Sequence, residues 1–400
     1  MKKVGLLIPN LSSGGAEAVV SRLSKILKET YDIYIILFDS QNICYEFSGN
    51  LIDMNINVKG TSIIKKLPLT LKRILKLRKI KKEENFDAVI SFLDNANIVN
   101  VLSKTRTCKS ILSIRNYIKI EMSKSFLGKI INFCIKVLYN RADYIITVSK
   151  LIEQSMNKDY QIKCSKLSTI YNPYNVDEIC EKSIELIEDQ YKDFFKSKKI
   201  FITVGRQSHQ KGYWHLLKAF FLVKKNIPDA KLIIIGKDFL DGKVKKLAEK
   251  LNIKDDILFI TYHNNPFKFI ANSQVYIMTS LFEGFPNALV EAMICRCPVI
   301  ATDCKSGPRE ILYHELDLNK SISNIETAEY GILVPAFNNN ENWNSNDFEK
   351  GDMILSSAMF ELMENMELRN NYTDKAFERA KKFNYEICNS KYMEVIEFVE

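Results

Sequence analysis

Two glutamates, Glu283 and Glu291, lie on either side of the turn Gly284-Phe285-Pro286 in the stretch SLFEGFPNALVEAM, which begins at residue 280. Two carboxylates at this spacing could form a general acid and base, hold a divalent metal, or accept paired hydrogen bonds from neighbouring sugar hydroxyls. A purely structural alternative puts one near a helix dipole and the other in solvent. The rest of the sequence has to decide between these chemistries.

The turn that carries Glu283 joins two different elements. VYIMTS before it is an apolar run of strand length, and NALVEAMICRC after it has helical spacing. The N–H groups that begin such a helix attract anions. Glu291 lies one turn beyond the helix start, so we expect it to reach the same cleft as Glu283.

A second loop offers positive charge. In VGRQSHQKGYWHLLKAF, residues 204–220, Arg206 and Lys211 follow another strand-like run. They could neutralise a phosphate-bearing leaving group, the arginine through forked hydrogen bonds and the lysine as a point charge. The alternative is a solvated loop with ordinary surface charges.

A third loop is rich in glycine. Gly14 and Gly15 stand in NLSSGGAEAVVSRL, residues 10–23, between the first strand and the first helix. Glycine lets the backbone approach a ligand closely, and the helix that follows points its N–H groups at that ligand. This arrangement suits a diphosphate or a polar acceptor, and a plain strand-to-helix turn is the alternative.

The elements that position these loops alternate along the chain, which predicts an α/β protein with parallel sheets covered by helices on both faces. Because 400 residues exceed one ordinary core, we expect two doubly wound domains, 1–190 and 191–380, with residues 381–400 forming a helix that packs on a core already formed. The predicted strands are KVGLLIP, DIYIILF, FDAVISF, SILSIR, DYIITVS, KIFITVG, AKLIIIG, DILFI, QVYIMTS and CPVIAT.

The sequence lacks the motifs that are typical of several other classes of protein. The chain has only four histidines, none at metal-ligand spacing, and no D-x-D triplet, so we expect no metal site and no cofactor. It has neither a P-loop nor a G-x-G-x-x-G fingerprint. Nine scattered cysteines without a C-x-x-C pair favour reduced thiols in a cytoplasm. No apolar run reaches the length of a membrane span.

Positive charge is concentrated in the first half of the chain. Residues 61–82 hold nine basic residues and no acidic one, interleaved with leucines and isoleucines, and residues 123–140 mix lysines with large apolar side chains. Basic amphipathic helices suit an anionic bilayer, so we expect a peripheral protein on the inner face of the cytoplasmic membrane. The alternative is a helix that packs its apolar stripe on the sheet. No aromatic-interleaved basic motif supports nucleic-acid binding.

Taken together, the motifs resemble a known family. Gly14-Gly15-Ala16-Glu17, ADYIITVS, IYNPYN, VGRxxxQKG, EGFPNALVEAM and SGPREIL occur in family order and span nearly the whole chain. This combination resembles the retaining GT-B glycosyltransferases of family four. The resemblance implies two facing Rossmann-like domains, an acceptor site in the first, a nucleotide-sugar site in the second, and a final helix that crosses back onto the first.

The resemblance also implies roles for particular residues. Glu283 would contact the donor sugar hydroxyls and Glu291 the ribose hydroxyls. Arg206 and Lys211 would bind the diphosphate and stabilise it as it leaves, while Gly15 lets the first loop close over it. The backbone that would cradle the sugar and phosphates is that of Gly284, Phe285, Pro286, Asn287, Ala288 and Leu289. The nucleobase would lie near Gly236 and residues 262–264.

One position departs from the family. Many members carry a histidine after the strand that matches SILSIR, whereas Arg115 and Asn116 stand here. An arginine stays charged and cannot act as a base, but it could bind a phosphate of the acceptor or donor. We therefore assign Gly14, Arg115 and Asn116 to the acceptor side and name no protein base.

The expected reaction moves a hexose or N-acetylhexosamine, with retention, from a nucleotide-diphosphate sugar, UDP by family habit, to a glycan or lipid-linked glycan. Such an enzyme would serve the biosynthesis of a capsule, an O-antigen or another cell-surface polysaccharide. Two alternatives stay open: a sugar-nucleotide 2-epimerase, and an inactive GT-B protein that only binds a sugar nucleotide.

Overall fold

The computed structural model describes residues 1–12, 14–57, 63–117, 133, 135–315, 317–318 and 320–398. Contacts divide the chain into two compact units, Met1–Tyr174 with Tyr385–Glu400, and Asn175–Asn384. Each unit contains one seven-stranded sheet. The chain is therefore an α/β protein with two Rossmann-like domains, as the alternating pattern predicts.

The first sheet is parallel throughout. Its strands are β1 Lys3–Ile8, β2 Asp32–Leu37, β3 Asn50–Asp53, β4 Ala88–Phe92, β5 Lys109–Ile114, β6 Tyr144–Thr147 and β7 Leu167–Thr169. They lie in the order β3-β2-β1-β4-β5-β6-β7. The order reverses between β1 and β4, and in doubly wound sheets ligands bind at this point, beyond the carboxyl ends of the strands.

Helices cover both faces of this sheet, because side chains alternate along each buried strand. Val4, Leu6 and Ile8 of β1 point to one face and Leu7 to the other. The helices of this unit are α1 Gly15–Leu27, α2 Ile63–Glu83, α3 Asp94–Leu102, α4 Lys150–Lys158 and the last helix of the chain, Tyr385–Glu397. That last helix buries Cys388, Tyr392, Val395 and Ile396 in the same core as α1.

The second unit repeats the plan. Its strands are β8 Ile200–Val204, β9 Lys231–Ile235, β10 Ile257–Ile260, β11 Val275–Met278, β12 Val299–Thr302, β13 Glu326–Ala328 and β14 Gly331–Val334. Their order is β10-β9-β8-β11-β12-β14-β13, with only the β13–β14 pair antiparallel. The switch point here lies between β8 and β11.

The helices of the second unit complete the fold. They are α5 Val176–Ser183, α6 Asp189–Lys192, α7 Tyr213–Lys224, α8 Lys243–Lys250, α9 Phe267–Ala271, α10 Asn287–Ile294, α11 Pro308–Leu312, α12 Lys350–Glu364 and α13 Met366–Ala380; the chain then continues into α14, the last helix. None of the described helices is long and apolar enough to cross a membrane.

The boundary between the units differs from our sequence prediction. Residues 175–190, which we placed in the first domain, belong to the second unit, and that unit extends to Asn384 rather than 380. The reason is that α5 packs on α9 and α10. Polar contacts fix the same stretch: Lys268 pairs with Glu188 at 2.6 Å, and Asn265 Nδ2 donates to the Lys182 carbonyl at 2.7 Å.

A buried lysine ties α2 to the first sheet. Lys81 is fully buried, and its Nζ donates to Asn100 O at 3.0 Å, Asn100 Oδ1 at 2.7 Å and Ser110 Oγ at 3.0 Å. Asn100 in turn donates to the Val89 carbonyl of β4 at 2.8 Å. Burial lowers the pKa of Lys81 to about 8, because a low dielectric disfavours the charged form.

This lowered pKa predicts a pH-dependent stability. The unfolded chain holds the Lys81 proton up to a pKa near 10.5. Between pH 8 and that value the unfolded state binds more protons than the folded state, so the free energy of unfolding rises with pH. From pH 7.5 to 9.5 we expect wild type to gain roughly 2 kcal/mol relative to Lys81→Met, measured by urea unfolding. Parallel pH profiles for the two proteins would contradict this account.

Candidate functional site

The second sheet brings three predicted site residues to one edge. β8 and β11 are hydrogen-bonded neighbours at the switch point. Arg206 and Lys211 follow β8, and Glu283 follows β11. Carboxyl ends of parallel strands meet at the same edge, so these loops meet where doubly wound sheets bind ligands.

An ion pair joins the two loops. Lys211 Nζ lies 2.7 Å from Glu283 Oε1, and the two side chains are only 23% and 9% exposed. A pair with this little solvent is stronger than a surface pair, and it holds the carboxylate in one position. The geometry therefore presents a fixed acceptor, Glu283, beside a fixed cation.

The backbone around Lys211 locks this arrangement. Thr279 Oγ1 donates to the Lys211 carbonyl at 2.8 Å, and Leu281 N donates to the Gln210 carbonyl at 2.8 Å. Gly212 is the N-cap of α7, with a left-handed φ of 59°, and a Cβ there would lie 2.4 Å from the Thr279 carbonyl oxygen. Only glycine fits at this close approach, so it fixes where Lys211 stands.

Gln210 is a site residue to which the sequence analysis gave no role. Its Nε2 donates to the Phe282 carbonyl at 2.8 Å and lies 3.4 Å from Glu283 Oε2. It thus holds the glutamate loop from the other side. Its place beside Lys211 in the VGRxxxQKG motif is the signal that could have identified it.

The loop after β12 contacts and supports the turn that follows Glu283. Ser306 Oγ donates to the Gly284 carbonyl at 2.7 Å. Gly307, with a φ of 98°, allows Pro286 to approach so closely that a Cβ would lie 2.5 Å from its Cδ. Phe285 is buried and packs edge-on against Phe383, with 5.2 Å between the ring centroids. The side chains of Phe285 and Pro286 therefore pack within the second unit and hold the turn in place.

The helix that follows the turn presents one accessible stripe. Asn287, Ala288 and Glu291 are partly exposed, whereas the other five residues of α10 are buried. These three positions share one face of the helix, so Glu291 lies on the same face as Asn287 and Ala288 in the first turn. Pro286 has no N–H to donate, and the Leu289 amide donates to the Pro286 carbonyl at 3.2 Å.

Gly236 lies beside the same edge. A Cβ on Gly236 would lie 1.8 Å from the Gly205 carbonyl oxygen, so the loops after β8 and β9 approach each other closely there. At the predicted nucleobase region, Tyr262 is 64% exposed, whereas His263 Nε2 lies 3.1 Å from Glu188 Oε1. His263 thus helps to hold residues 175–192 against the rest of the second unit.

In the first unit, Arg115 and Asn116 line a cavity of about 190 Å³ together with Pro9, Leu93, Asp94 and Asn95. These residues follow β1, β4 and β5, so the cavity lies at the switch point of the first sheet. Arg115 Nη2 donates to Asn172 Oδ1 at 2.5 Å, and burial lowers the pKa of this guanidinium. Gly14 and Gly15 stand at the start of α1, which follows β1, with Gly15 exposed.

Two residues of this cavity were not predicted. Leu93 has a φ of 73°, which is strained for a branched side chain, and such strain is concentrated at functional sites. Asp94 follows it and accepts a hydrogen bond from Tyr139 at 3.1 Å, while desolvation raises the pKa of its carboxyl. The sequence signal was the polar run DNAN directly after a buried strand.

No group of three histidine, cysteine, aspartate or glutamate side chains is placed to hold a metal ion within the part of the chain that the structure describes.

Comparisons with known proteins agree with this fold. Residues 186–324 match the family model Glycosyl transferases group 1, and residues 13–178 match the model Glycosyltransferase Family 4. An uncharacterized glycosyltransferase of Methanocaldococcus jannaschii is 35% identical over 327 residues, which cover 79% of this chain and 80% of that protein. The chain therefore belongs to the family 4 glycosyltransferases, and its two Rossmann-like domains are those of the GT-B fold.

Two further matches extend over nearly the whole chain. The N-acetylgalactosamine-N,N'-diacetylbacillosaminyl-diphospho-undecaprenol 4-alpha-N-acetylgalactosaminyltransferase of Campylobacter jejuni is 29% identical and covers 96% of both chains. The crystal structure of Anabaena HepE in complex with UDP and glucose aligns with a TM-score of 0.73 at 16% identity, covering 98% of this chain and 99% of that one.

Proposed function

We propose that this glycosyltransferase moves a hexose or N-acetylhexosamine from a UDP-sugar to a glycan or lipid-linked glycan, with retention of anomeric configuration, in cell-surface polysaccharide biosynthesis. The observation that carries the proposal is the Lys211–Glu283 pair at the switch point of the second sheet, with Arg206 on the same loop as Lys211. The Campylobacter relative named for a lipid-diphosphate acceptor and the UDP-bound HepE support the choice of substrates.

The roles follow from the charges. Arg206 and Lys211 neutralise the diphosphate as the bond to the sugar breaks, which stabilises the leaving group. Glu283, held by Lys211 and Gln210, accepts hydrogen bonds from the donor sugar hydroxyls, and Glu291 accepts those of the ribose. A diphosphate oxygen takes the acceptor proton on the same face, so the protein supplies position and charge rather than a base.

The first unit supplies the acceptor side. The switch-point cavity combines the Arg115 guanidinium, which suits an acceptor phosphate, with the Asp94 carboxylate, which suits an acceptor hydroxyl. Asp94 thus joins Gly14, Arg115 and Asn116 as an acceptor-binding residue. A 2-epimerase would invert the donor sugar at C2, and an inactive binding protein would leave the donor unchanged. Neither would form a glycoside with the acceptor, so product analysis with a panel of donors and acceptors separates the three functions.

Replacing Glu283 and replacing Glu291 should impair different properties of the enzyme, the first the rate of transfer and the second the affinity for UDP. Glu283→Ala should abolish transfer, by more than about 100-fold in kcat, while UDP still binds, because Glu283 is assigned to the sugar. Glu291→Ala should weaken UDP binding, roughly tenfold in Kd, because it removes the ribose acceptor. Calorimetric titration and initial rates measure both, with the exposed Glu361→Ala as matched control. The opposite division of effects would refute the role assignment.

We also propose that the reaction needs no metal, because Arg206 and Lys211 supply the positive charge that a divalent ion would otherwise bring to the diphosphate. Transfer rates should therefore be unchanged within twofold after EDTA treatment. Loss of activity that manganese restores would show that this part of the proposal is wrong.

We propose that α2 binds the enzyme to an anionic membrane at the cytoplasmic face. Leu67, Leu71 and Leu75 are 72%, 58% and 64% exposed and follow one another at four-residue spacing, so they form one apolar stripe. Exposed cations accompany the stripe at Lys72, Arg78, Lys79 and Lys82. This surface has the composition of an interfacial helix.

Not all basic residues of residues 61–82 serve that surface. Arg73 and Lys76 turn inward and donate to the carbonyls of Ile56 and Met54, and Lys81 is buried. The structure does not describe the side chains of Lys65 and Lys66. In the second basic segment, 123–140, residues 123–132 and 134 also lie outside the described residues. The membrane proposal therefore depends on α2.

Replacing the three leucines tests it. The Leu67→Gln/Leu71→Gln/Leu75→Gln variant should bind vesicles of phosphatidylglycerol and phosphatidylcholine at least about tenfold more weakly, because three side chains no longer enter the acyl region. Sedimentation at low salt measures binding. Ile184→Gln/Leu186→Gln, which alters side chains that are 83% and 86% exposed in the second unit, is the control. No binding of wild type, or equal losses in both variants, would count against the proposal.

A further inference from the structure

A second cavity of the first unit lies at the opposite edge of the sheet from the acceptor cavity. Its volume is about 590 Å³. Lys2 precedes β1, Asp87 precedes β4, Lys109 begins β5 and Asp143 precedes β6, and all four line it. Because this is the amino edge of the sheet, the cavity is separate from the site that Arg115 and Asp94 form at the carboxyl edge.

Cations dominate the lining of this amino-edge cavity. Among the described residues it contains two carboxylates, Asp87 and Asp143, and six cationic side chains: Lys2, Arg78, Lys104, Arg106, Lys109 and Arg141. Cations that converge on one concave surface raise the local positive potential and favour an anionic ligand. Burial, followed by the neighbouring Lys2, lowers the pKa of Lys109, as expected where positive charges crowd.

The lysines already have partners in the fold. Lys104 pairs with Asp143 at 2.5 Å, and the other oxygen of Asp143 accepts from Ser110 N at 2.8 Å. Lys109 Nζ donates to the Ile396 carbonyl at 2.8 Å, at the end of α14, and Lys2 pairs with Glu397. The lysines and carboxylates thus hold the fold together.

The three arginines are different. Arg78 comes from α2, Arg106 from the loop between α3 and β5, and Arg141 from the loop before β6. All three are exposed, and their guanidinium groups make no hydrogen bond or ion pair with any other described residue. Thr105, between them in the lining, has a buried Oγ1 that also lacks a hydrogen-bond partner among the described residues. A hydroxyl in that position normally finds a partner.

We propose that the amino-edge cavity binds a phosphate group, as a phosphomonoester or diphosphate, through Arg78, Arg106, Arg141 and the Thr105 hydroxyl. Guanidinium forks match the paired oxygens of a phosphate, and a threonine O–H donates to a third oxygen. Arg78 lies on the exposed face of α2, three residues beyond Leu75. A phospholipid headgroup and a soluble phosphate compound share this chemistry, so the experiment has to separate these two sources.

Inorganic pyrophosphate is the soluble probe. The full chain carrying Arg206→Gln and Lys211→Gln removes the proposed donor site, so any remaining binding measured by calorimetry reports on another site. In that background, Arg78→Gln/Arg106→Gln/Arg141→Gln should raise the Kd at least about tenfold. The control Lys28→Gln/Lys158→Gln/Lys163→Gln removes three exposed charges elsewhere in the same unit and should change it less than about twofold.

The Thr105→Val variant tests whether phosphate binding depends on a hydrogen bond from the Thr105 hydroxyl as well as on the positive charge of the arginines. It keeps the side-chain shape and removes a buried hydroxyl that has no described partner, so the Tm should stay the same or rise. Pyrophosphate affinity should nevertheless fall, roughly threefold.

Vesicles identify the source of the phosphate. The vesicle test uses Arg106→Gln/Arg141→Gln, which keeps the Arg78 charge on α2. If this variant loses both pyrophosphate affinity and binding to phosphatidylglycerol vesicles relative to the lysine control, the natural ligand is a lipid headgroup. If only its pyrophosphate affinity falls, the ligand is soluble. The proposal is overturned if neither probe distinguishes the arginine variant from the lysine control, and this outcome leaves the donor-site proposal untouched, since Arg206 and Lys211 are altered in every calorimetric sample.

Discussion

The ion pair between Lys211 and Glu283 is the interaction on which the candidate active site depends. It joins loops from β8 and β11 at the point where the strand order of the second sheet reverses. The close approach at Gly212 and the hydrogen bonds of Gln210 fix both ends, so the cation and the carboxylate are held in defined positions. A preorganised charge stabilises a leaving diphosphate with little reorganisation, which is the role we propose for Lys211.

The two units use the same sheet geometry to position their candidate binding residues. Each places its candidate binding residues at the carboxyl edge, Glu283 in the second unit and Asp94 with Arg115 in the first. The amino edge of the first sheet carries instead the arginine-lined cavity, beside the exposed leucines of α2. Within the first unit, chemistry at one edge and attachment at the other would not compete for the same residues.

The sequence alone predicts the main strands well, but it does not predict the short strands, the supporting side chains or the exact domain boundary. All ten predicted strands are present, because buried parallel strands are continuous apolar runs. The strands β3, β7, β13 and β14 were missed; β3, β7 and β13 are short and largely accessible, and β14 is a four-residue run in a pair with β13. Lys81, Gln210 and Asp94 could not be assigned, since a buried lysine, a supporting amide and a strained turn are defined by neighbours distant in sequence. The domain boundary was misplaced for the same reason, because Glu188 and Lys182 find their partners 80 or more residues away.

A crystal structure with an intact UDP-sugar analogue tests the central claim most directly. The account predicts the diphosphate at the carboxyl edge of the second sheet, within hydrogen-bonding distance of Arg206 and Lys211, with Glu283 on the sugar and Glu291 on the ribose. A diphosphate bound elsewhere, with Lys211 and Glu283 still joined and out of contact with the donor, would contradict it.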